Sequence, residues 1–205
     1  MPDNPAAFLA VSVALTAAPG PDVLFLVSQG LAGGSRAGLC VALGLSSGLL
    51  VHTTLAALGV SAIFMASPAA FNLLKFAGAA YLFWLAIGAF RERPAAGGKT
   101  ALFGDGPALY RKGILMNLLN PKVAIFFLAL LPQFVNPSKG GVKVQMMILG
   151  LMFMTQVIVV FGTIGYLSGR LGERFIPGER WSRGLSVFKG MVFLVLSISL
   201  LAARR

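Results

Sequence analysis

Residues 15–27 read LTAAPGPDVLFLV, and residues 116–128 read MNLLNPKVAIFFL. Two prolines, a glycine and an aspartate interrupt the first run, which is otherwise apolar. Asparagine, proline and lysine interrupt the second. Proline lacks a backbone donor and clashes with the preceding turn, so it begins helices better than it continues them. A helix broken at Pro19 is therefore expected to restart with Gly20 as N-cap, Pro21 at N1 and Asp22 at N2. Asn120, Pro121 and Lys122 take the same three places in the second stretch. Each stretch reads as a half-helix that begins inside an apolar segment.

The surrounding sequence says what kind of segment this is. Of 205 residues, 57% are hydrophobic and 11% charged, whereas a soluble domain carries about a quarter charged residues. Apolar blocks run from Pro5 to Leu31, Val41 to Ala66, Ala69 to Phe90, Gly113 to Val135, Val144 to Ser168 and Gly184 to Ala203. Each is close to the roughly 20 helical residues that cross a hydrocarbon core. Alternation with period two is absent, which argues against barrel strands. The separators carry turn chemistry: Gly33-Gly34-Ser35 after the first block, Ser67-Pro68 before the third, and Asn136-Pro137 with Gly140-Gly141 after the fourth. The expected fold is an all-α integral membrane protein of six transmembrane helices, a single domain over residues 1–205. No basic stretch precedes the first span, so it is expected to be kept rather than cleaved as a signal.

Basic loop residues orient the spans. Placing the N-terminus outside puts Arg36, Arg91, Arg93, Lys99, Arg111, Lys112, Arg170, Arg174, Arg180 and Arg183 in the cytoplasm. Only Lys139, Lys143, Arg204 and Arg205 then lie outside. This bias supports both termini outside. The net charge of +11 belongs to these short loops, so no nucleic-acid partner is expected. Residues 91–112 form a basic cytoplasmic linker between repeat 1, about residues 1–91, and repeat 2, about 113–205. Three spans per half give the halves opposite orientations, the plan of inverted-repeat transporters. The two proline breaks fall in the first helix of each repeat.

Bare backbone cannot face lipid, so both breaks must line a cavity or pack on protein. A half-helix N-terminus at the midplane suits the carboxylate of a small substrate. Of the six acids only Asp22 lies inside a span, and an intramembrane ionisable residue marks a functional candidate. Asp22 is a candidate for a substrate ammonium or a coupling proton, or for a structural ion pair with Lys122. The substrate-binding set is Gly20, Pro21, Asp22, Asn117, Asn120, Pro121 and Lys122. His52, the one histidine, is a packing group bonded to neighbouring backbone or a second proton-coupling candidate. Gln156 and Gln29 read as interhelical ties. One histidine and one cysteine, Cys40, cannot supply a metal shell, and no cofactor is expected. HExxH and GxSxG are both absent, so an enzyme is not expected.

Residues 19–59, PGPDVLFLVSQGLAGGSRAGLCVALGLSSGLLVHTTLAALG, resemble the first two helices of the LysE/RhtB family of amino-acid exporters. YLFWLAIGAFR at 81–91 resembles that family's third helix, and GILMNLLNPKVAIFFLALLPQFV at 113–135 its fourth. The last two helices fit by hydropathy. The resemblance implies efflux of amino acids or related zwitterionic metabolites across the bacterial inner membrane, driven by proton motive force. The partners would be a small-molecule substrate, protons and membrane lipid, with a homo-oligomer left open. The family often carries asparagine at the position of Asp22, which leaves two roles for the acid, coupling or substrate choice. The competing reading is a passive pore or structural membrane protein without proton coupling.

Overall fold

The computed structural model describes residues 4–18, 20–59, 68–91, 105–175 and 179–202, and these are helical throughout with no strand. The expectations attached to Pro19, Ser67, the linker residues 92–104 and the last three residues lie outside that set. Helix α1 spans Pro5–Ala17, and Asn4 caps it by accepting from the Ala7 N–H at 3.1 Å. Helix α2 spans Pro21–Ala57 and α3 spans Pro68–Arg91. Helix α4 covers Gly106–Leu118, α5 covers Pro121–Ile125, and one π turn at Phe126–Leu130 leads into 3-10 turns at Leu131–Phe134 and Pro137–Lys139. Helices α6, Val142–Phe175, and α7, Glu179–Ala202, complete the order. By length and composition, α2 and α6 are each long and apolar enough to cross a membrane.

Both expected breaks are present. The chain leaves α1 at Ala18 in an extended conformation and restarts at Pro21 behind Gly20. It leaves α4 at Leu119 and restarts at Pro121 behind Asn120. The fourth element begins earlier than the hydropathy block at Gly113. Asp105 accepts from the Ala108 N–H at 3.2 Å, and a proline in the first turn starts the helix at Gly106. The C-terminal part of the expected linker is therefore helical, because a good cap outweighs polar composition.

A third break divides α2. Gly34 has φ +80° and ψ −178°, a backbone state that only glycine adopts cheaply. On an unbroken helix Gly30 and Gly38 would stand about 12 Å apart. Instead, a Cβ on either would strike the backbone of Gly165 in α6. The chain thus folds back at Gly34, and both legs of α2 lie on one stretch of α6. Glu173 at the far end of α6 stabilises the restart, its Oε1 accepting from the Ser35 N–H at 2.8 Å. Small residues make this seam close: Gly172 meets Leu31 and Gly169 meets Ser35, as in membrane helix pairs generally. Helix α3 packs on α7, where Ser197 donates to the Ala79 carbonyl at 2.9 Å.

The core between the elements is aromatic. Phe126 stacks on Phe153 at 4.4 Å between centroids, and Phe8 packs edge-on against Phe134 at 5.2 Å. Large apolar side chains also cover the outside, among them Leu73, Trp84, Val144, Val159 and Ile198. An outward apolar belt is what a bilayer solvates, while in water a patch this extensive would drive aggregation.

Candidate functional site

The two proline breaks meet. A Cβ on Gly20 would sit 3.3 Å from Lys122 Cδ and 3.4 Å from its Nζ, so the missing side chain gives Lys122 its room. The Lys122 ammonium reaches back across the junction and donates to the Ala18 carbonyl at 2.8 Å. It thereby sits at the C-terminal end of α1, where the helix dipole favours a cation. Its own backbone N–H donates to Asn120 Oδ1 at 3.0 Å, the cap of α5.

Asp22 lies on the first turn of α2 and is 4% exposed. Its Oδ2 accepts from Asn117 Nδ2 at 2.9 Å, a bond between residues 95 positions apart in the chain. A carboxylate only accepts, so this bond fixes the Asn117 amide with its oxygen turned away. Asp22 Oδ1 and Asn117 Oδ1 are both buried without a partner. Asn117 is held from two further sides. Gly48 leaves it space, since a Cβ there would come within 2.6 Å of Asn117 Oδ1. His52 Nε2 lies 3.3 Å from the Asn117 carbonyl oxygen, and the imidazole stacks on Phe127 at 5.6 Å.

Gly20, Asp22, Asn117, Asn120 and Lys122 line one cavity of about 360 Å³. Thr16, Leu15, Val23 and Leu49 contribute to its wall, and Phe153, Val157 and Phe161 close the side toward α6. The last three are spaced by four residues and so share a helix face. Pro21 and Pro121 stand at the starts of α2 and α5, where each sets the restart. His52 is not on the cavity wall and touches the site through Asn117. Asp22 and Lys122 face the same space, and among the described residues no hydrogen bond joins them. The arrangement offers unpaired acceptors at one pole, an ammonium at the other and apolar walls between. That is a receptor for a small molecule carrying both charges.

Sequence reasoning did not single out Thr16 or the α6 wall. Thr16 is the last polar residue before the first break, and the spacing of Phe153, Val157 and Phe161 was a legible stripe. Gln156, read as an interhelical tie, does bond across helices, its Nε2 donating to Thr16 Oγ1 at 2.8 Å.

Broken helices restarting at a shared polar cavity, beneath an apolar exterior, define a membrane translocator. The chain belongs to the LysE type translocator family, whose model matches residues 13–204. It is 36% identical over 200 residues to a protein of Vibrio cholerae described as an uncharacterized membrane protein, covering 97% of this chain and 96% of that one. It is 32% identical to the homoserine/homoserine lactone efflux protein of Salmonella typhimurium, again over 97% and 96% of the two chains. A leucine efflux protein of Klebsiella pneumoniae is 27% identical over 84% of this chain and 82% of its own. No solved structure matches the chain.

Proposed function

We propose that this protein is a secondary exporter of amino acids or related small zwitterionic metabolites across the bacterial cytoplasmic membrane, working by proton antiport. The observation that carries this reading is the single cavity that Asp22 and Lys122 enter from two different helix breaks. The substrate ammonium sits at the unpaired oxygens of Asp22 and Asn117. Its carboxylate sits at Lys122 and at the first turn of α2, which Gly20 leaves without a side-chain cap. An N-terminal turn favours an anion, and charge-assisted hydrogen bonds are the stronger kind. Asp22 alternates between the ammonium and a proton, which couples outward substrate movement to inward proton flow. His52 steadies Asn117 and through it the orientation of the acid.

The chain crosses the membrane six times in this reading, as two inverted repeats of about residues 1–91 and 113–205. Helix α1 with the first leg of α2 makes the first span, the second leg the second, and α3 the third. Helices α4 and α5 with the following irregular turns make the fourth, and α6 and α7 the last two. The meeting of the first and fourth spans at their breaks, and of the third with the sixth, supports this symmetry. Both termini lie outside.

Uptake into proteoliposomes of the purified full chain, with and without an imposed pH gradient, tests the function. Homoserine, homoserine lactone and leucine, from the names of the relatives, head the substrate panel. Accumulation that follows the pH gradient is expected. Equal fluxes with and without the gradient would instead indicate a passive pore.

A further inference from the structure

Two polar side chains beside the cavity belong to neither charged pole. Thr16, on the last turn of α1, lines it and is 5% exposed. Gln156 of α6 lies among the wall residues Phe153 and Val157 and bonds to Thr16 at 2.8 Å. The Thr16 hydroxyl proton is committed elsewhere, to the Ser12 carbonyl at 2.8 Å. At the Gln156–Thr16 contact the hydroxyl oxygen must therefore accept and the amide must present its nitrogen. This fixes the amide orientation and leaves Gln156 Oε1 buried without a partner.

An interhelical tie needs only the Nε2 to Oγ1 bond. The surplus oxygen is a cost that a tie does not explain, because native proteins leave few buried acceptors unpaired. It is explained if a donor arrives from outside the chain. We propose that Thr16 and Gln156 form the subsite for the substrate side chain and select short side chains that end in a hydrogen-bond donor, a hydroxyl or a carboxamide. The inference rests on the binding reading above, which places the ammonium at Asp22 and Asn117. Facing acceptor lone pairs, an acidic side chain is repelled, and an apolar one leaves Gln156 Oε1 unpaired. The apolar neighbours Leu15, Val23 and Phe161 keep water from substituting for the missing donor, which is what turns a hydrogen bond into selectivity.

Homoserine and norvaline test it, since they differ only by a hydroxyl in place of a methyl group. Competition binding to the purified full chain should favour homoserine by about tenfold or more, as expected when a buried acceptor is left unpaired by the analogue. In Gln156→Leu the ratio should fall to near unity while norvaline binds as before, which also shows that the variant is folded. Thr16→Val, which removes the partner that orients the amide, should lower the ratio in the same direction. An unchanged ratio in both variants would overturn the subsite, as would equal weakening of both ligands, which would mark Gln156 as a tie alone. Failure of the binding reading looks different: the wild type then binds neither ligand, and the subsite falls with it before any variant is made.

Discussion

The breaks at Gly20–Pro21 and Asn120–Pro121 use the same device, a proline that restarts a helix, yet they are finished differently. Asn120 folds its side chain onto the Lys122 N–H and closes its own restart. Gly20 has no side chain with which to do so, and its bareness makes room for the Lys122 stem. The acid follows the uncapped restart and the base follows the capped one. One break is thus structurally complete within itself, while the other is completed by its neighbour across the cavity. A functional site built from repeated elements needs this asymmetry, because two identical poles could not bind a molecule with opposite charges at its ends.

Removing the bridging cation attacks the comparison most strongly. Lys122→Met should lower the apparent affinity for amino acid by roughly 10- to 100-fold, the scale of a hydrogen bond to a charged group. Competition binding with a labelled substrate reads it, and an unchanged affinity would mean that the cation serves only the end of α1. Gly48→Ala comes next. A Cβ 2.6 Å from Asn117 Oδ1 must displace the side chain that holds Asp22, at a cost of about 1–3 kcal/mol for overpacking. Thermal unfolding in detergent measures the loss, and substrate binding should weaken alongside it. The smallest effect is expected at the self-contained break. Asn120→Ala removes its cap and should cost about 1 kcal/mol, leaving it as open as the first. A binding loss in Asn120→Ala as large as that in Lys122→Met would show that the two breaks are not different in kind.

The breaks and the fold-back were legible because glycine, proline and asparagine act locally. Gly20-Pro21, Asn120-Pro121 and Gly33-Gly34-Ser35 each impose a backbone state through their own covalent chemistry. The intramembrane acid was legible for the same reason, since one carboxylate within an apolar block is conspicuous. What joins these parts was not legible. The Asp22–Asn117 bond depends on how two half-helices cross, and the Gln156–Thr16 bond spans 140 positions. Glu173 reads as an ordinary loop acid until α6 carries it to the Ser35 N–H. The π turn at Phe126–Leu130 lies inside FFLAL, where nothing in an apolar run distinguishes one helical winding from another.

Asp22→Asn addresses the central claim, that the uncapped break carries the coupling charge. The substitution keeps the shape and hydrogen bonding of the side chain and removes its ability to take and release a proton. In proteoliposomes loaded with substrate, the variant should retain exchange of labelled for unlabelled amino acid and lose accumulation driven by a pH gradient. Wild-type accumulation under the same gradient would contradict the assignment of Asp22 as the coupling group.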